Sequence, residues 1–303
     1  MSEKLNKDIL KSLEDYMTIG WIGTGIMGSA MCSHIMDGGY KTVVFNRTAE
    51  KAKKLVEKGA NLASNPGEVA RKCDVIFTIV GYPKDVEEIY FGENGIFSGL
   101  SEGKILIDMT TTKPSLTVKI YEHAKSAGCE ALDAPVSGGD SGAKNGTLSI
   151  MVGGDASTLE KVLPLLKLLG TSVMLEGKAG SGQHTKMANQ IQIAGTMIGM
   201  CEALVYSKAA GLDLEKMVET ISKGAAGCHS LNNLAPRIIK GNYRPGFIIN
   251  HFIKDMGIAI EESRRMGLKL NGLELVESLY KKIQQRGNGL EGTQALVKVL
   301  GEF

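Results

Sequence analysis

No stretch of this sequence approaches the about 18–20 uninterrupted apolar residues that a bilayer-spanning helix needs, so no membrane partner is expected. Charge of one sign is not in excess either. The net charge of +2 excludes a general polyanion-binding surface, so no nucleic-acid partner is expected. Cysteine is sparse and unpaired in pattern: Cys32, Cys73, Cys129, Cys201 and Cys228 are odd in number, widely spaced and form no CxxC. That implies a reduced compartment and no zinc site. The five histidines are scattered, so no metal centre is expected. The first residues, "MSEKLNKDILKSLEDYMT", have no apolar core for a signal peptide and mix acids with bases while lacking arginine, unlike a transit peptide. The expected location is therefore cytoplasmic. Internal repeats and low-complexity segments are also missing.

Glycine, by contrast, is abundant, at 38 of 303 residues, which implies many tight turns and close backbone approaches. The length exceeds one ordinary core and suits two domains. After a polar extension over residues 1–17, short apolar runs alternate with helical patterns. "TIGWIG" (18–23), "TVVFN" (42–46), "DVIFTIV" (74–80), "KILIDM" (104–109), "EALDAP" (130–135), "LSIMVGG" (148–154) and "TSVMLEG" (171–177) read as strands. Helices are expected over 26–38 and 48–58. This alternation predicts a doubly wound parallel sheet, and the near-continuous apolar strands predict that both faces are covered. Beyond Gly180 no convincing strand follows. Helices are expected over 184–210, 213–223, 230–240, 250–266 and 271–286, with a boundary near 177–182 dividing an α/β domain (18–180) from an all-α domain (181–303). Helix 184–210 is so apolar that burial on all sides is expected, within its domain or at a subunit interface.

"GTGIMG" places Gly23, Thr24, Gly25, Ile26, Met27 and Gly28 after the first strand and at the head of the first helix. Glycine spacing of this kind is weak evidence alone, but in that context it is the dinucleotide fingerprint of a Rossmann fold. Gly23 permits the turn, Gly25 lets backbone approach a pyrophosphate, and Gly28 lets helix and strand pack closely. An NAD site carries an acid about 20 residues further on. Here Asn46 stands in that place, followed by Arg47, Thr48 and, one turn on, Lys51. A guanidinium fork, a hydroxyl and an ammonium suit a 2′-phosphate, so NADP is expected over NAD. The same residues also make an ordinary helix start with solvated basic side chains.

Three later stretches combine glycine with hydrogen-bonding groups. "DMTTTKPS" (108–115) follows a strand, at the carboxyl edge where ligands of such sheets bind. "DAPVSGGDSGAKNGTLSIMVGG" (133–154) holds Ser137, Gly138 and Gly139, either a plain glycine turn or a small anion nest suited to a carboxylate. "GSGQHTKMANQ" (180–190) puts Lys186 and Asn189 three apart on one helical face. Lys186 is the one charged residue in "HTKMANQIQIAGTMIGMC", and it is either a snorkelling cap or a working group. In a dry pocket a lysine can serve as general acid and base. Met187, Ala188, Ile191 and Ile193 would keep its surroundings dry, while His184 reads as exposed.

Taken in order and spacing, "GTGIMG", "DAPVSGG", "GTLSIMVGG", "GSGQHTKMAN" and "HFIKDM" give a sequence that resembles the β-hydroxyacid dehydrogenase family from about residue 18 to the C-terminus. That family includes 3-hydroxyisobutyrate dehydrogenases, glyoxylate/succinic semialdehyde reductases and the core of 6-phosphogluconate dehydrogenase. The resemblance implies NAD(P)-dependent interconversion of a small hydroxy acid and its aldehyde. It implies Lys186 as the catalytic lysine with Asn189 as its partner, and Ser137, Gly138 and Gly139 as the loop for the substrate carboxylate. It further implies Thr111 between nicotinamide and substrate, Lys254 at the cofactor, and Phe247 and Asp255 on the lid side of the substrate. Many members have two consecutive asparagines where this chain has Asn189 and Gln190, a departure that bears on the substrate pocket.

The expected function is an NADP-dependent oxidoreductase of the 3-hydroxyisobutyrate dehydrogenase type, with a glyoxylate/succinic semialdehyde reductase as the alternative. A non-catalytic NADP-binding module is a different class, disfavoured because Lys186 is present and no chromatin-reader segment or basic tail is appended. Imine-reductase relatives usually replace the lysine, and the helical part is too short for 6-phosphogluconate dehydrogenase itself. The apolar character of helix 184–210 implies a homodimer or homotetramer built through the C-terminal helices.

Overall fold

The computed structural model describes residues 17–301; the extension expected over 1–17 lies outside them but for Met17. The chain divides into two compact units between Lys186 and Met187.

The first unit opens with β1 (Thr18–Ile22), α1 (Ile26–Asp37) and β2 (Lys41–Phe45). It continues through α2 (Lys53–Glu57), β3 (Asn61–Leu62), α3 (Pro66–Lys72), β4 (Val75–Thr78), α4 (Pro83–Phe91) and α5 (Ile96–Gly99). The second half adds β5 (Ile105–Asp108), α6 (Pro114–Ser126), β6 (Glu130–Asp133), β7 (Val136–Ser137), α7 (Gly139–Asn145), β8 (Leu148–Gly153), α8 (Ala156–Lys167) and β9 (Gly170–Gly177). The sheet runs β3-β2-β1-β4-β5-β6-β8-β7, with β9 beside β8. From β3 to β6 every pairing is parallel, in a doubly wound order with β1 at the centre.

The apolar strands are explained by which way their side chains point. Ile19 and Trp21 of β1, Val75 and Phe77 of β4, and Ile105 and Ile107 of β5 enter one core with Met31, Cys32 and Ile35 of α1. Ile22, Ile76 and Leu106, on the alternate positions, enter the other core with Val69 of α3, Val86 and Tyr90 of α4 and Ile120 of α6. Successive residues face opposite sides of a strand, so a sheet covered twice needs apolar residues at both. Trp21 and Phe77, one strand apart and fully buried, stack at 5.1 Å between ring centroids.

The sheet is dominated by parallel pairs, as expected, and departs from that at its far end. β8 runs antiparallel to both β6 and β7. Two residues separate β6 from β7, and ten separate β7 from β8. Parallel neighbours need a crossover of about a dozen residues or more, so the chain turns back instead. The helix expected over 48–58 is also shorter: a 3₁₀ turn (Ala49–Ala52) precedes α2.

The second unit is helical. It contains most of α9 (Ser181–Ala209), then α10 (Leu214–Ser222), α11 (His229–Asn233), α12 (Ala235–Ile239), α13 (Ile249–Arg265) and α14 (Asn271–Ile283). The helix expected over 230–240 is two short ones, with Pro236 in the first turn of α12. Met197, Met200, Cys201 and Leu204 of α9 pack with Phe252 and Met256 of α13, Tyr280 of α14 and Leu296. Within the single chain α9 is not buried on every side. His184, Ala188, Gln192, Gly195, Gly199, Glu202 and Tyr206, three or four apart, form an exposed stripe. Ala188, Gly195 and Gly199 on that stripe count as apolar in the sequence but bury little.

A buried carboxyl stands at the carboxyl end of β5. Asp108 Oδ1 accepts hydrogen bonds from Thr78 Oγ1 (2.8 Å) and the Thr110 N–H (3.1 Å), while Oδ2 is buried without a partner. Burial pushes this carboxyl up to about 6. A raised folded-state value means that stability is greatest below the ordinary aspartate range and is lost as pH rises through about 6. Asp108→Asn should remove that loss. Between pH 4 and pH 7 the variant should gain about 3 kcal/mol on the wild type in urea unfolding; parallel stability curves would show that the carboxyl does not titrate as stated.

Candidate functional site

The glycine fingerprint is a turn built to three different tolerances. Gly23 has φ 98°, and a Cβ there would lie 2.0 Å from the Ile79 carbonyl oxygen. A Cβ on Gly28 would lie 2.1 Å from the Gly23 carbonyl oxygen. Both positions therefore require glycine. At Gly25 an added Cβ meets nothing within 4 Å, which leaves open space at the N-terminus of α1. Helix N-termini attract phosphate through their unpaired N–H groups and dipole. Thr24 Oγ1 is buried there without a partner, and Ile26 is exposed while Met27 is half-buried. A cradle with an orphaned hydroxyl and open space over a helix head fits a dinucleotide pyrophosphate.

Asn46 ties this turn to the end of β2. Its Oδ1 accepts the Thr24 N–H (2.9 Å), and its Nδ2 donates to the Thr48 carbonyl (2.9 Å). Asparagine, with both a donor and an acceptor, thus holds two backbone segments together. Arg47 is 87% exposed at its side chain, and Thr48 and Lys51 are exposed as well. One partner of Arg47 was not legible in the sequence: its Nη1 lies 3.1 Å from Oδ1 of Asp85, in the first turn of α4.

The second group of residues centres on the head of α9. Gly180, at φ 91°, precedes the helix and has no side chain to cap it. Asp133, at the end of β6, supplies the cap from 47 residues away. Its Oδ1 accepts the Gly180 N–H (2.8 Å) and its Oδ2 the Gln183 N–H (2.8 Å). Burial pushes the Asp133 carboxyl up, and these two backbone donors offset part of that rise. Close approach is possible because Gly153 and Gly182 face one another: a Cβ on Gly182 would lie 2.3 Å from the Met151 carbonyl oxygen, and one on Gly153 2.8 Å from the Gly182 nitrogen.

Gln183 then joins the helix head to the loop after β5. Its Nε2 donates to the Thr110 carbonyl (2.7 Å), and its Oε1 accepts the Thr112 N–H (3.0 Å). The two bonds bracket Thr111, which is half-buried. Thr110 Oγ1 in turn accepts the Val80 N–H (3.0 Å). Three residues after Gln183 comes Lys186, only 6% exposed. Its side chain is therefore buried rather than laid along the surface as an exposed cap would be. Of the apolar residues expected around it, Met187 is buried and Ile191 and Ile193 are half-buried, but Ala188 is on the exposed stripe. His184 is exposed, as expected.

Ser137 ends β7, and Gly138 leads from it into α7, which Gly139 begins. Ser137 is paired with Ser149 in the β7–β8 ladder, and Gly138 and Gly139 have φ of 133° and 63°. Consecutive left-handed glycines turn backbone N–H groups toward one side.

In the second unit, further along α9, Asn189 Nδ2 donates to Gln190 Oε1 (2.7 Å), and Gln190 Nε2 donates to Asp255 Oδ2 (2.6 Å). Lys254 Nζ lies 2.8 Å from Asp255 Oδ1. Phe247 stacks at a tilt against Phe252, with centroids 5.7 Å apart. Asn189 and Asp255, expected to serve different partners, are thus joined through Gln190. Among the described residues no cluster of histidine, cysteine or acids could hold a metal ion. Among the described residues no helix is long and apolar enough to cross a membrane.

Asp85, Asp133 and Gln183 were missed by sequence reasoning. An acid closing the apolar run "EALD" was the available signal for Asp133. For Gln183 it was the position three before Lys186, on the same helical face.

Two family models match the chain. Residues 18–177 match the NAD binding domain of 6-phosphogluconate dehydrogenase, and residues 180–300 match the model described as NAD-binding of NADP-dependent 3-hydroxyisobutyrate dehydrogenase. An uncharacterized oxidoreductase of Bacillus subtilis is 52% identical over 93% of this chain and 98% of its own length. A probable mitochondrial 3-hydroxyisobutyrate dehydrogenase-like protein of Arabidopsis thaliana is 50% identical over 93% of this chain and 84% of its own. Among solved structures, a 3-hydroxyisobutyrate dehydrogenase of Mycobacterium tuberculosis with L-serine is similar with a TM-score of 0.87 and 25% identity, over 94% of this chain and 99% of that one.

Gln183→Ala strips the partners from two buried backbone groups, the Thr112 N–H and the Thr110 carbonyl. It should lower the unfolding free energy by about 2–6 kcal/mol, at about 1–3 kcal/mol for each unsatisfied group. The exposed neighbour Gln192→Ala should change it by less than about 0.5 kcal/mol. Equal effects in chemical denaturation would show that the Gln183 clamp is not a structural tie.

Proposed function

The chain belongs to the β-hydroxyacid dehydrogenase family, and from that premise we propose that it is an NADP-dependent oxidoreductase interconverting a small β- or γ-hydroxy acid and its semialdehyde. The observation that carries the reading is Lys186: a buried ammonium, one turn into a helix whose head is tied to the ends of β5 and β6. Ligands of open α/β sheets bind at that carboxyl edge. The NADP preference rests on Arg47, Thr48 and Lys51 with no acid at Asn46, and Lys254 is assigned to the cofactor by family resemblance.

Bound over Gly23, Gly25 and Gly28, the nicotinamide dinucleotide supplies or accepts the hydride. The protein's own part is to move a proton. As the carbonyl is reduced its oxygen gains negative charge, and Lys186 Nζ donates a proton to that oxygen; in the other direction it accepts the hydroxyl proton. Asn189 has its amide N–H₂ engaged by Gln190, which leaves its carbonyl oxygen as the group for the lysine. The N–H groups of Gly138 and Gly139 and the Ser137 hydroxyl hold the substrate carboxylate; Thr111, Phe247 and Asp255 are assigned to the substrate by family resemblance.

An exposed face of α9 that carries Ala188, Gly195, Gly199 and the 74% exposed Tyr206 among polar residues supports assembly into a homodimer or homotetramer. Light scattering at micromolar concentration should give at least a dimer, and a monomer would count against it.

A panel of small hydroxy acids and semialdehydes with NADPH and NADH tests the activity. Lys186→Ala should lower kcat by about 100- to 10,000-fold, as for removal of a general acid, with NADPH binding kept because its phosphates lie in the glycine turn. Lys186→Arg should be nearly as inactive, since guanidinium does not give up its proton. Near-wild-type kcat in Lys186→Ala would refute the assignment.

A further inference from the structure

We propose that Asp85 is a specificity-determining residue at the cofactor's 2′ position, restraining the preference for a 2′-phosphate and keeping the 2′-hydroxyl form usable. The inference rests on the reading of Arg47 as the 2′-phosphate partner. Strands β2 and β4 lie on either side of β1 in the sheet. Arg47 follows β2 and Asp85 follows β4, so their ion pair spans the edge at which the glycine turn after β1 also lies.

The pair is unequal. The guanidinium is 87% exposed and sits on a long side chain, whereas the carboxylate is 16% exposed on a short one, in the first turn of a helix begun by Pro83. A carboxylate in a helix's first turn is favoured by the helix dipole. When a phosphate arrives the arginine is therefore the partner that moves, and Asp85 stays. Only Nη1 of Arg47 is engaged by Asp85, which leaves Nε and Nη2 to form the fork that a phosphate accepts. The phosphate then sits near a fixed negative charge, and repulsion opposes it. A 2′-hydroxyl brings no charge and can donate a hydrogen bond to a carboxylate. The end of β2, where that acid would ordinarily stand, has Asn46, whose oxygen is already used by Thr24. Asp85 offers the missing acceptor from the neighbouring loop.

The test is the dissociation constants of NADPH and NADH, by fluorescence, for the wild type and Asp85→Asn, with thermal midpoints to verify folding. Asp85→Asn should tighten NADPH and weaken or leave NADH, raising the NADPH-to-NADH preference by about 5- to 30-fold. High salt should shrink the difference, as for any exposed charge. An unchanged or lowered preference would overturn the proposal and make Asp85 a mere holder of Arg47. A variant that does not fold is replaced by Asp85→Ser, read the same way. A wild type that prefers NADH would instead refute the NADP reading itself, and the shift between wild type and variant would still decide the role of Asp85.

Discussion

The head of α9 cannot cap itself, and the candidate site depends on what caps it instead. Gly180 has no side chain, so two of the helix's unpaired N–H groups reach into the sheet for a partner, and Asp133 accepts both. That one carboxylate fixes where a 29-residue helix begins relative to β6. Glycines at 153 and 182 make the approach possible, since a side chain on either would collide with the other's backbone or with Asp133. Lys186 follows one turn later, so its place is set by strand geometry and not by a loop. In the proposed role of proton donor, a side chain placed this way would lose little on reorganisation.

The same arrangement has an energetic cost that the fold absorbs elsewhere. Asp108 and Asp133 face each other across β5 and β6 as register partners, and burial pushes both carboxyls up. Like charges on neighbouring strands each oppose the other's ionisation. Thr78, the Thr110 N–H and the two backbone groups of α9 offset part of that, but Asp108 Oδ2 has no partner. The two stacked cores on either side of the sheet hold these groups in place. Unfavourable burial of this kind gathers where a protein works rather than where it is merely stable.

The alternation of strands and helices was legible because local periodicity records which face of each element is covered. Ile19 and Trp21 against Gly20 and Ile22 is such a record, and so is the glycine fingerprint, whose partners lie within a few residues. What was not legible depends on distant partners. Nothing beside Asp133 in the sequence says that its acceptors serve Gly180 and Gln183. Asn46 stands where a ribose-binding acid belongs, yet its side chain is occupied with the turn at Thr24 and with Thr48. The exposed stripe of α9 was hidden by composition: alanine and glycine count as apolar in a sum but bury almost nothing. The reversal at β7 and β8 follows from connection length, which strand patterns alone do not weigh.

Gln190 shows how far a single change in side-chain length reaches. An amide at this position must meet two groups, Asn189 Nδ2 on its own helix and Asp255 Oδ2 on α13, at 2.7 and 2.6 Å. An asparagine, one methylene shorter, would draw its amide back toward α9 and give up the carboxylate. Asp255 is buried and already paired with Lys254, so it needs a neutral donor, not a second cation, on its other oxygen. The glutamine supplies that donor and, with its carbonyl, takes up the Asn189 N–H₂. The orientation of Asn189 is therefore set by an acid on another helix. The departure from the two consecutive asparagines common in the family thus ties α9 to α13 through Gln190.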